Sequence, residues 1–128
     1  DTDGLKDQAL AIISENIGAL LAPPTPDIPE ALRLDSAYAA SSQVIDAASP
    51  FALDDLCTAA KGLCDLLDAA PRQGGFDWRI ATVHAQAMKL LLSLTPDAPG
   101  TAEARIAIMA NLSEVLKRKL PMSPQSPA

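Results

Sequence analysis

The chain has 128 residues, a mass of 13.3 kDa and a net charge of −6 from 16 acids and 10 bases. That is the size of one domain, and a 48% hydrophobic content supplies a core, which sets the chain apart from disordered sequences. With 24 Ala and 18 Leu against 8 Ile, 3 Val and 3% aromatics, the composition favours helices and argues against a β-sandwich or barrel.

Eleven prolines punctuate the sequence at a few places and leave five stretches of helical length between them. The first predicted helix runs from about Leu5 to Ala22. Leu5, Ala9, Ile12, Ile13, Ile17, Leu20 and Leu21 recur at nearly the helical period, and Gly18 suggests a close crossing. The second starts near Asp27, where Asp27 and Glu30 have capping-box spacing and Pro29 suits a first turn, and it ends near Ala47. Its middle, Ser36 to Ser42, is built of small residues around Tyr38.

The third helix has the clearest pattern. Ser49 can cap it and Pro50 can open it. Leu53, Leu56, Cys57, Ala60, Leu63, Cys64 and Leu67 share one face, and Asp54, Asp55, Thr58, Lys61, Asp65 and Asp68 the other. The fourth runs from about Asp77 to Leu94, with Ile80, Val83, Ala87, Leu90, Leu91 and Leu94 as its apolar side. Thr101 caps a fifth that reaches about Leu120, with Glu114 placed to meet Lys117 or Arg118. The expected fold is therefore all-α: one domain over residues 1–120, a bundle of four to five mostly antiparallel helices with short Pro/Gly-containing loops. The Pro/Ser tail 121–128 has no periodic pattern and is expected to be disordered or draped on the surface.

Several chemistries lose their footing. No apolar run reaches the ~18–20 residues that span a bilayer, and Asp1-Thr2-Asp3-Gly4 is acidic where a secretory leader is basic, so a cytoplasmic location is expected. An acidic chain without a broad basic face is a poor nucleic-acid binder. Cys57 and Cys64 lie seven residues apart, roughly 10.5 Å along one helix. A disulfide needs Cα atoms about 4.4–6.8 Å apart, so both read as reduced, structural thiols. Two thiols without a nearby histidine make no metal site. Asp54 and Asp55 diverge around their helix, and Asp65 with Asp68 lacks further ligands, so no metal and no cofactor is expected.

His84 is the single histidine, and any Ser-His-Asp or Cys-His arrangement would need it. In size and helical content the chain resembles histidine phosphotransfer domains, which are all-α bundles. That resemblance rests on the stretch His84-Ala85-Gln86-Ala87-Met88-Lys89. It implies a ring nitrogen on a helix face that accepts a phosphoryl group, with Lys89 nearby. The family places Lys three residues after the histidine and Gly four after. Here Ala87 and Met88 hold those places and Lys89 follows one position later.

Charge is distributed unevenly. Residues 1–68 carry 12 acids and three bases, and residues 69–128 carry four acids and seven bases. Lys117, Arg118 and Lys119 close the fifth helix, where they complement its dipole and could touch an acidic partner. With no catalytic set in view, the expected function is a non-enzymatic protein–protein interaction module: a small regulatory, adaptor or chaperone-like protein. A groove between small-residue helices would take a partner's amphipathic helix, or a second copy in a symmetric dimer. The alternatives are phosphotransfer through His84 and Lys89, and an enzyme or small-ligand binder with an unrecognised pocket.

Overall fold

A computed structural model of the chain describes residues 2–22, 27–73, 76–94 and 98–119. The proline stops at Pro23, Pro24, Pro26 and Pro96 and the tail 121–128 lie outside those residues. The fold is an all-α bundle of five helices: α1 (Thr2–Leu21), α2 (Glu30–Ala48), α3 (Asp54–Ala69), α4 (Trp78–Ser93) and α5 (Thr101–Lys119). Short 3-10 turns at Ser49–Phe51 and Ala70–Gln73 flank α3, and no strand occurs among the described residues.

The contacts fix the directions. Glu30 and Arg33 at the start of α2 meet Phe76 and Trp78 at the start of α4, so these two helices run the same way. Arg105 near the start of α5 bonds Asp55 at the start of α3, so those two also run together. Lys6 and Leu10 of α1 share a recess with Leu53 and Leu56 and with the end of α4. Helices α1 to α4 therefore alternate up and down around a closed ring, and α5 packs outside it on α3 and α4.

The core follows from this layout. Ile13 and Ile17 of α1, Val44 of α2, Leu63 and Leu67 of α3 and Met88 of α4 are buried together. Helix α3 touches α2, α4 and α5, so its buried face is wider than one stripe. Leu56, Ala59, Ala60, Gly62, Leu63, Cys64, Leu66 and Leu67 are all inside, while Asp54, Thr58, Lys61, Asp65 and Asp68 face solvent as the pattern predicts. Both cysteines are free.

Several local readings need correction. Helix α2 begins three residues after Asp27 with Pro29 as its N-cap, and no side chain caps it. The Glu30 carboxylate instead accepts the Phe76 N–H at 3.4 Å, which ties the α2 start to α4. Ser49 and Pro50 do not open α3. They form a separate turn that ends at Ala52 in the left-handed conformation (φ 56°), and Leu53 is the N-cap of α3. Gly18 marks no crossing, since nothing lies within 4 Å of where its Cβ would stand. The close approach is at Gly62, whose added Cβ would stand 3.1 Å from Leu116 Cδ1 of α5. Glu114 forms no ion pair with Lys117 or Arg118 among the described residues, whereas Arg79 pairs with Asp77 and Arg105 with Asp55.

Of the small residues of α2, Ala37, Ala40 and Ser41 are buried where the helix packs on α1 and α3, while Ser36, Tyr38 and Ala39 are exposed.

Candidate functional cleft between α4 and α5

Helix α4 is rolled relative to its sequence pattern. Ile80 and Ala87 are buried, but so are Ala81, His84, Ala85 and Met88, whereas Val83 is 41% and Leu90 54% exposed. The cause is unequal cover. The ring neighbours α1 and α3 enclose one side of α4, and α5 covers the other only in part.

This roll places His84 in the centre. Its side chain is 0% exposed and its Nδ1 lies 3.0 Å from the Ile80 carbonyl oxygen. Nε2 is buried without a hydrogen-bond partner. Burial holds the imidazole below its usual pKa, an effect that outweighs the opposing hydrogen bond to Ile80. The phosphotransfer alternative requires an exposed ring beside Lys89. The ring is sealed while Lys89 is exposed, so an incoming aspartyl phosphate cannot reach either nitrogen in this packing.

The partly covered side of α4 is a cleft. It holds about 290 Å³ between the start of α4 and the end of α5. Ile80, Val83 and Val115 form an aliphatic floor, and Arg79, Arg118 and Lys119 stand at the rim with a single carboxylate, Asp77. That carboxylate is already engaged. Asp77 caps α4 by accepting the Arg79 N–H at 3.1 Å, and it accepts the Arg79 guanidinium through Nε at 3.0 Å and Nη2 at 2.9 Å. These bonds hold the Asp77 carboxyl down to about 2, well below its ordinary value. The cap is what the α4 start needs, since the first amides of a helix have no internal partner.

Behind the cap, the Phe76 and Trp78 rings meet edge to face at 4.8 Å, and the Arg33 guanidinium stacks 4.2 Å from the Trp78 centroid. This cluster anchors α4 against α2 and keeps the cleft wall in place. Of the three cations singled out in the sequence, Arg118 and Lys119 line the cleft and Lys117 does not. Arg79, Val83 and Val115 were not singled out as site residues. Their signal was weak because Val83 sits on the apolar side of the fourth helix, which reads as core.

Among the described residues no three His, Cys, Asp or Glu side chains gather into a metal-sized group. No described helix is long and apolar enough to cross a membrane. No family model, no curated protein and no solved structure matches the chain.

Proposed function

We propose that the protein is an interaction module that docks an acidic, amphipathic segment of another protein in the α4–α5 cleft. The observation that carries this reading is the composition of the cleft: three aliphatic side chains on the floor and three cations at the rim, against one carboxylate held by Arg79. A helix with an aliphatic stripe and flanking Asp or Glu matches both features, the stripe on Ile80, Val83 and Val115 and the acids on Arg118 and its neighbours. The cleft has the volume to take a few side chains of a docked helix. The buried His84 offers no acid–base or nucleophilic group to its surface.

The test is fluorescence anisotropy with a labelled helical peptide that carries an aliphatic stripe flanked by glutamates, beside a lysine-flanked counterpart. The glutamate peptide is expected to bind more tightly and to weaken as salt rises. Val83→Asp and Arg118→Glu, both on exposed positions, are expected to lower its affinity about tenfold or more. Equal binding of the lysine peptide, or indifference to both substitutions, would overturn the proposal. A dimer that Val83→Asp dissolves would assign the cleft to a second copy of the chain instead.

A further inference from the structure

A groove between the start of α2 and the end of α3 belongs neither to the core nor to the α4–α5 cleft. It holds about 330 Å³, is open to solvent and takes no lining residue from α4 or α5. Its aliphatic surface comes from Ala31 and Leu34 of α2 and from Leu67 and Pro71 where α3 ends. The α2 wall uses positions on one helix face, and from Ala31 to Tyr38 it is roughly 10.5 Å long.

The charges in this groove have one sign. Asp35 and Asp68 line it, and no Lys or Arg does. Both carboxylates are exposed, and neither is in an ion pair among the described residues. Two cations adjoin the lining in sequence. Arg33 is turned onto Trp78 of α4, and Arg72 follows Pro71 at an exposed position outside the groove. Tyr38, 45% exposed, adds an aromatic ring to the α2 wall. Carboxylates attract a cation by charge and an aromatic ring attracts it by its quadrupole, while the aliphatic surface calls for an apolar stem.

We propose that this groove binds a small aliphatic amine as its ammonium, with the charge on Asp35 and Asp68 and the alkyl stem along Leu34, Leu67 and Pro71. A primary ammonium has three donors and can serve more than one carboxylate. The length of the wall fits one short alkyl chain and is too short for several turns of a docked helix. The proposal does not depend on the function assigned to the α4–α5 cleft, whose cations would repel the same ligand.

Isothermal titration with n-octylammonium tests it, with n-octanol and octanoate as comparison ligands. Octylammonium is expected to bind saturably at one site, more tightly than octanol, and octanoate more weakly than either. Asp68→Asn, at an exposed position, is expected to lower octylammonium affinity about tenfold through loss of one charge-assisted contact and to leave octanol unchanged. Asp46→Asn removes the same charge elsewhere on α2 and is expected to change neither, which separates the groove from the overall negative charge of the chain. Ala31→Trp, also at an exposed position, fills the groove and is expected to abolish binding of both, whereas Val83→Asp in the other cleft leaves it intact. Equal affinity for octanoate, an equal loss with Asp46→Asn, or octylammonium binding that survives Asp68→Asn or Ala31→Trp unchanged would overturn it. So would displacement by the lysine-flanked peptide at lower concentration than by n-hexylammonium, which would give the groove to a basic segment of a protein.

Discussion

At the residue scale His84 couples the fold to acidity. Its ring is neutral in the core because burial lowers its pKa, while in the unfolded chain it titrates near ~6.5. Above that value both states hold a neutral ring and the stability is fully present. As pH falls below it, the unfolded chain gains a proton that the native core resists, so stability declines. Urea denaturation at pH 7.5 and 5.5 should give a lower midpoint at the acid end. His84→Leu should remove most of that difference, whatever its effect on absolute stability. The two thiols follow a similar logic. Burial pushes both up, so neither is a ready nucleophile at neutral pH. Half-buried Cys57 should react with a disulfide reagent faster than buried Cys64, and both faster once urea opens the bundle.

His84 follows Val83 and lies one turn from Ile80 and Ala87, so its place near the apolar side of the helix can be read from spacing. Which way the helix rolls cannot. Val83 and His84 are adjacent, and a rotation of about 100° separates exposed from sealed. The decision lies in the neighbours, because α1 and α3 cover one side of α4 more fully than α5 covers the other.

At the scale of elements, the helices themselves were legible because proline stops and apolar spacing are local signals. The α2–α3 connection was not. Ser49-Pro50 is a sound helix opening by local rules, yet the chain turns at Ala52 and α3 begins at Asp54. Nor can a sequence say which glycine is crowded. Gly18 stands in open space inside α1, so Gly18→Ala should stabilise by about 0.5–1 kcal/mol through helix propensity alone. Gly62 faces Leu116 across the α3–α5 seam. Gly62→Phe should push α5 outward, cost about 1–3 kcal/mol and expose α5 to protease before the ring of four unfolds. Thermal melts and limited proteolysis of the two variants would separate these effects.

For the whole molecule, the ring α1–α4 holds the deep core and α5 is an addition that buries little besides Thr101 and Leu112. Leu63→Ala should therefore cost about 2–5 kcal/mol, because Leu63 sits fully inside the ring. The uneven charge becomes spatial in this fold. The acid-rich first half supplies α1–α3, and the basic surplus of the second half gathers in part where α4 begins and α5 ends. Composition revealed the imbalance, but only the pairing of α4 with α5 brings Arg79, Arg118 and Lys119 around Val83 and Val115.

That juxtaposition is the centre of the account, and chemical-shift mapping tests it most directly. Nitrogen-labelled protein would be titrated with the glutamate-flanked peptide and its amide shifts followed. The account predicts saturable shifts concentrated at Ile80, Val83, Val115 and Arg118, with residues of the Lys6 recess unmoved. Shifts centred on another face, or none at saturating peptide, would contradict it.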